Sequence, residues 1–181
     1  MRAIDIVFGV GWVLFWLGWL LAAFGTKSGR NRWGSFVGYR LVIVVVIVLL
    51  ERIPAVRQPA THNPVLGAIG LPLFIAGLGL AVWARVHLGR NWGSPMSEKV
   101  DPELVTTGPY RWIRNPIYSG LILAFIGTSI AVSVSWLVIG ALIGAYFVYS
   151  AVMEQRFMTE KFPDTYPAYR DRTKLLIPFV F

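Results

Sequence analysis

The chain has 181 residues, 56% of them hydrophobic and 14% charged, against about 25% charged in a soluble domain. With no cysteine and two histidines, His62 and His87, it has no means of forming disulfides or thiolate metal sites, and a multi-histidine metal centre is not expected. The formal charge of +8 would suit nucleic acid on a soluble protein, but here the apolar residues fall into long uncharged runs, so the charge is read as membrane topology and no nucleic-acid partner is expected.

The first run, Ile6 to Phe24, has 19 residues and no charge. A signal peptide has a shorter apolar region, about 7–15 residues, after a basic start. Here the start is "MRAID", so a retained first helix is predicted. The second run is Phe36 to Leu50, with Arg40 one turn inside it. Arg40 is expected to snorkel to the near interface. The third is Val65 to Ala84, whose Pro72 and glycines are tolerated in membrane helices.

The fourth run, Ile117 to Ser150, is 34 residues without a charge. As one helix it would extend about 51 Å, against a hydrocarbon core near 30 Å. Its middle reads "SIAVSVSW", where serines and β-branched residues weaken helix continuity. A hairpin of two short helices, 117–131 and 135–153, is therefore predicted. The fold class is all-α: a polytopic membrane protein of about five transmembrane helices. It is read as one domain, 1–181, with three spans in 1–84 and the hairpin and C-terminal tail in 85–181.

The basic residues support five spans. One side holds three (Arg2, Arg52 and Arg57), and the other side's two loops and tail hold thirteen of the seventeen. The positive-inside rule then puts the N-terminus outside and the long loop and tail in the cytoplasm of a plasma or inner membrane.

Three clusters of polar residues stand out. In "GPYRWIRNPIYSG", 108–120, Asn115 suits an N-cap and Pro116 suits the first helical position. Arg111 and Arg114 can contact lipid phosphates there. The same helix start, with the two arginines and Tyr118, also suits a carboxylate or phosphate of a ligand. In "YFVYSAVMEQRF", 146–157, Tyr146, Ser150 and Glu154 share one helix face. The hairpin returns Glu154 to the membrane side of Arg114, so a polar pocket near the bilayer surface is expected. The tail "FPDTYPAYRDRTKLLIPFVF" is read either as an amphipathic surface segment or as a lid over that pocket. "VHLGRNW", 86–92, is a weaker signal, with His87 read as a polar interface residue.

Taken together, "LVTTGPYRWIRNPIYSG", "EQRF" and "FPDTYPAYRDRTKLLIP" resemble the isoprenylcysteine carboxyl methyltransferase family and its phospholipid N-methyltransferase relatives. That family's pattern is GPYR-x-x-RHP-x-Y, two short helices, a Glu-Glu pair and a Tyr-x-x-Tyr tail. "WARVHLGRNW" resembles the segment before this core, so the likeness covers about 83–178. It implies an integral membrane methyltransferase that holds S-adenosylmethionine in its C-terminal half on the cytoplasmic side. It also implies a lipophilic acceptor entering from the bilayer: a carboxylate on a prenyl or isoprenoid-like molecule, or a lipid head group. Cofactor binding is carried over to Arg111, Arg114, Asn115, Pro116, Tyr118, Glu154 and Gln155. Tyr166, Tyr169 and Arg170 match the tail; Tyr146, Tyr166 and Tyr169 are expected at the acceptor. Arg156 and Arg170 are the cations expected to orient an acceptor carboxylate. Asn115 stands where the family has His and Gln155 where it has the second Glu; both can hydrogen-bond, but neither carries charge. Two other readings fit the same pattern: an NADPH-dependent membrane reductase of the sterol reductase type, and a non-enzymatic lipid-binding membrane protein.

The charge asymmetry is checked with topology reporters. A reporter fused after residue 181 should report the cytoplasm, and one in the 51–64 loop the opposite side; the reverse pattern would overturn the orientation, and both reporters on one side would remove the five-span assignment.

Overall fold

The computed structural model describes residues 3–23, 29–31, 63–92, 97–99, 103–133, 135–178 and 180. The predicted second span, with Arg40, and His62 lie outside the described residues. Helix α1 runs Ala3–Ala23 and α2 Pro64–Leu88. The hairpin is α3, Pro116–Ala131, and α4, Ser135–Lys161, and a short α5, Tyr166–Arg172, begins the tail. A two-stranded antiparallel ribbon pairs β1, Gly29–Asn31, with β2, Ser97–Lys99. Helices α1, α2 and α4 are each long and apolar enough to cross a membrane, and α3 is a shorter apolar helix.

The predicted break between the hairpin helices falls where expected, around Val132 and Ser133, and Trp136 N donates to the Ser133 carbonyl at the turn. Two predicted ends move. Helix α4 continues to Lys161 instead of stopping near 153, because "EQRFMTEK" is rich in good helix formers and remains helical beyond the apolar stretch. Helix α2 runs to Leu88, which places Arg85 in its last turn and not in a loop. At the other end of α2, Pro64 occupies the first turn and the Asn63 side chain accepts from Val65 N at 2.9 Å.

The central contact is between α2 and α3, which pack antiparallel with almost no side chain between them. On α2 the buried small residues are Gly70, Gly77, Ala81 and Ala84; on α3 they are Gly120, Ala124, Gly127 and Ala131. A Cβ on Gly77 would lie 2.5 Å from both the Gly120 carbonyl oxygen and the Ala124 nitrogen. A Cβ on Gly127 would lie 2.5 Å from the Gly70 carbonyl oxygen. In lipid, where no hydrophobic force separates helix from solvent, such close backbone approach supplies the van der Waals contact that holds helices together.

Helix α1 lies alongside in the same direction as α2. Phe8 packs on Phe74 with ring centroids 4.6 Å apart, and Trp12 Nε1 donates to Thr128 Oγ1 at 3.2 Å. The far end is tied by Arg85, whose guanidinium donates to the Ala22 carbonyl at 2.6 Å and the Gly89 carbonyl at 2.8 Å. The same guanidinium carbon sits 4.7 Å from the Trp92 ring centre, a cation–π contact. One cation thus ties α1, the end of α2 and the chain that follows. The segment returns to α3 through Gly108, whose φ of +58° favours glycine and whose Cα lies against the His87 ring. His87 therefore packs as a structural residue, its Nδ1 3.0 Å from the Trp83 carbonyl.

The Gly77→Ala substitution should lower stability by about 3 kcal/mol, the upper range for overpacking. A methyl group at Gly79 would meet no atom within 4 Å, so Gly79→Ala should be neutral or slightly stabilising. Reversible unfolding in mixed micelles measures both, and equal effects would remove the close-packing account.

Candidate active site

A cavity of about 540 Å³ opens at the end of the bundle where α2 ends and α3 begins. That volume is within the range of small-molecule sites, about 300–1,000 Å³. Its walls come from all five described α-helices and the segments between them: Trp16 and Trp19 of α1, Leu88 at the end of α2, Asn91 and Trp92 after it, Glu103 to Val105, and Tyr110. Arg114, Asn115, Tyr118, Tyr146, Phe147, Glu154 and Gln155 of the hairpin complete it, with Tyr166 and Tyr169 of the tail.

Within the cavity, Tyr118 and Glu154 are joined directly. The Tyr118 hydroxyl donates to Glu154 Oε1 at 2.7 Å, a charge-assisted bond across the hairpin. Tyr118 is buried, and its ring stacks on Phe147 at 4.8 Å with 11° between planes. Tyr146 packs beside Phe147, with centroids 5.8 Å apart. The carboxylate therefore shares the cavity wall with several aromatic rings, an arrangement suited to a cation. Ser150, on the same helix face, is fully buried and donates to the Tyr146 carbonyl, which keeps it out of the lining.

The arginine of the motif has a different surrounding from the one expected. Arg114 donates through Nη1 to the Arg170 carbonyl at 2.9 Å and the Thr173 carbonyl at 2.5 Å, and through Nη2 to Gln155 Oε1 at 3.0 Å. It thereby caps the C-terminal end of α5, where carbonyls lack helical partners and a cation is favourable. Burial pulls its guanidinium below the ordinary arginine value, an effect opposed by Tyr166 and Tyr169. The main chain follows the same path. Lys174 N donates to the Trp112 carbonyl, Arg114 N to the Lys174 carbonyl, and Asn115 N to the Leu175 carbonyl. Residues 174–175 so run beside 112–115 like an added strand, with a parallel bridge between Ile113 and Lys174.

Asn115 occupies the N-cap position of α3, but its side chain does not cap the helix. Its Nδ2 donates to the Leu175 carbonyl at 3.2 Å instead, and Ser119 Oγ donates to the Leu176 carbonyl at 2.5 Å. The tail crosses the α3 start and engages these groups, which corrects the expectation of a helix start left open to a ligand. Pro116 is buried in that first turn and does not line the cavity.

The two tail tyrosines are buried and line the cavity. The Tyr169 hydroxyl donates to the Tyr110 carbonyl at 2.8 Å. Burial pushes the Tyr166 phenol up to about 12, with Arg114 acting in the opposite direction. Burial likewise raises Tyr169 and Tyr110. All three are neutral phenols at physiological pH.

Three expected site residues lie elsewhere. Arg111 is exposed, with its guanidinium 4.9 Å from the Trp112 ring centre. Arg156 is on the exposed face of α4. Arg170 pairs with Asp171 at 3.4 Å. None of these lines the cavity. On a helix carrying Glu154 and Gln155 inward, position 156 turns by about 100° per residue and points away. Conversely, Trp16, Trp19, Asn91, Trp92, Glu103 and Phe147 line it without having been expected there. Asn91 and Trp92 sit in the weak "LGRNW" signal; the tryptophans of α1 look in sequence like interfacial residues.

The fold and site together define a polytopic helical membrane protein with an aromatic, carboxylate-bearing cavity at one end of its bundle. Residues 65–165 match the sequence model of the phospholipid methyltransferase family, and the chain belongs to that family. It is 30% identical over 82 residues to methanethiol S-methyltransferase 1 of Bradyrhizobium diazoefficiens, covering 45% of this chain and 28% of that protein. It is 27% identical over 101 residues to the protein-S-isoprenylcysteine O-methyltransferase of Schizosaccharomyces pombe, covering 54% of this chain and 43% of that protein. The matched region thus spans less than half of either relative. The expected resemblance to the isoprenylcysteine carboxyl methyltransferases and phospholipid methyltransferases is borne out.

Removing the Arg114 guanidinium should free the tail. Arg114→Ala is expected to expose the segment 162–174 to limited proteolysis and to cost about 3 kcal/mol, as for other broken buried networks. Tyr169→Phe, which loses one hydrogen bond, should cost about 1 kcal/mol. Equal protection of native protein and Arg114→Ala would show that the tail is held by other contacts.

Proposed function

We propose that this chain is an integral membrane methyltransferase that uses S-adenosylmethionine and a lipophilic acceptor. The observation that carries the reading is Glu154, bound by Tyr118 at 2.7 Å inside an aromatic cavity of a chain belonging to a methyltransferase family. When bound, the cofactor supplies a methyl carbon activated by a positively charged sulfur. The donor set fits such a group: a carboxylate and aromatic faces suit its cationic end, and apolar walls suit its base.

Glu154 supplies the negative counter-charge, and Tyr118 fixes the direction of that carboxylate. Tyr118, Tyr146 and Phe147 offer π faces to a cation and, with Tyr166 and Tyr169, exclude water. Methyl transfer is an in-line displacement, so alignment and dryness are the main demands on the protein. Arg114 and Gln155 act as positioning residues, because their hydrogen bonds hold the tail that carries Tyr166 and Tyr169. Asn115 serves the same end through Leu175. Trp16, Ile117 and Leu121 give the cavity an apolar wall, suited to a hydrocarbon acceptor that bears a carboxylate or is a lipid head group. The basic loops and tail support a cytoplasmic location for this site.

Calorimetry in detergent micelles tests the assignment. Native protein should bind S-adenosylmethionine, and Glu154→Ala should weaken binding about tenfold or more, the worth of a hydrogen bond to a charged group. Methyl label should then pass to one fraction of a total lipid and membrane-protein extract. Binding of NADPH and not S-adenosylmethionine would replace this reading with a reductase; binding of neither would leave a lipid-binding protein.

A further inference from the structure

Asn91 and Glu103 come from segments outside the two carboxylate- and arginine-bearing motifs. Asn91 closes the 3-10 turn after α2, and Glu103 lies in the chain leading to Gly108. Both line the same cavity as Glu154. The Asn91 Nδ2 donates to Glu103 Oε2 at 3.4 Å. That bond uses the donor end of the amide. Its acceptor end, Oδ1, is buried and has no hydrogen-bond partner, a state that native proteins rarely leave unanswered.

The pair therefore presents oxygens. A carboxylate has about four lone-pair sites and an amide oxygen two, so Glu103 can keep its present partners, Asn91 among them, and still accept from a ligand. A ligand edge that satisfies such a corner must consist of donors. Two kinds of donor are available, a cationic ammonium or neutral hydroxyls. Glu103 is exposed at the cavity mouth, where an ion pair in water is worth little. The half-buried Glu154 among aromatic rings is the better cation site. A pair of adjacent hydroxyls suits the exposed corner, since a single carboxylate can accept both, as acidic residues do from ribose in nucleotide sites.

The surroundings fit the rest of a nucleoside. Leu88, Trp92 and Val105 line the same region. Trp92 has the Arg85 guanidinium 4.7 Å from its ring centre and makes a T-shaped contact with Trp19, with centroids 5.6 Å apart. We propose that Asn91 and Glu103 form a diol-binding subsite for the ribose hydroxyls of a nucleoside ligand, with its base against Leu88, Trp92 and Val105. The proposal rests on the cofactor reading above. It divides the cavity into a hydroxyl-binding end at Asn91 and Glu103 and a cation-binding end at Tyr118 and Glu154.

The test is binding of S-adenosylhomocysteine and its 2′-deoxy and 3′-deoxy counterparts, by calorimetry on the full chain in micelles. Native protein should bind the deoxy ligands about fivefold more weakly, because each lacks a hydroxyl that the Asn91–Glu103 corner accepts. Glu103→Ala should bind all three within about twofold of one another, and Asn91→Ala should reduce the discrimination; an unchanged thermal midpoint shows that the variants are folded. Glu154→Ala should bind more weakly while keeping the discrimination. Discrimination by folded Glu103→Ala equal to that of native protein overturns the subsite and leaves the cofactor reading standing. Failure of native protein to bind any of the three overturns both.

Discussion

The backbone approach of α2 to α3 is the constraint on which the site depends. Gly70, Gly77, Gly120 and Gly127 leave no room for a Cβ between the helices. Because the pair is antiparallel, that contact sets the end of α2 level with the start of α3. Trp92 and Asn91 then face the same space as Arg114 and Tyr118. A shift of one turn, about 5.4 Å, would separate the two walls of the cavity. In a bilayer this register cannot be left to hydrophobic burial, which does not distinguish one apolar helix face from another; shape has to do it.

A second layer of order comes from arginines that donate to main-chain oxygens. Arg85 ties Ala22 and Gly89, and Arg114 ties Arg170 and Thr173. Each joins segments far apart in sequence at the level where the helices leave the apolar region. A guanidinium has five donors in a fixed fork, so one side chain can hold several carbonyls that a helix end or a turn leaves unpaired. This also separates the charges of the region by role. Arg114 is occupied by the tail and Gln155, whereas Glu154 reaches the cavity alongside aromatic rings. Replacing a second acid by Gln155 suits this division, because a neutral amide oxygen accepts from Arg114 without adding a further charge beside Glu154.

Much of this was legible from the residues. The 34-residue uncharged run was too long for one span, and its serine-rich middle marked the turn, so the hairpin followed from length and local composition. The spacing of Tyr146 and Glu154 placed both on the cavity face of α4. Tyr118 and Glu154 were assigned to one site, and they are hydrogen-bonded. The arginines were harder to read. Arg111, Arg114, Arg156 and Arg170 are chemically alike, and only the direction of each side chain separates Arg114 from the three that miss the cavity. Asn115 was equally ambiguous: its type and position suit an N-cap, but a crossing tail offered its amide a carbonyl instead. Asn91 and Glu103 could not be paired in advance, since a glycine turn and an intervening ribbon segment decide how near they come.

By itself the sequence determined the membrane-spanning class, the hairpin and the family to which the chain belongs. These depend on local quantities: hydropathy, helix length, charge count and contiguous motifs. Tertiary structure alone decided which polar groups hold segments of the chain together and which line the cavity. That choice depends on distances between residues 12 to 63 positions apart, and those distances exist only after glycine-to-backbone packing has fixed the register of α2 against α3.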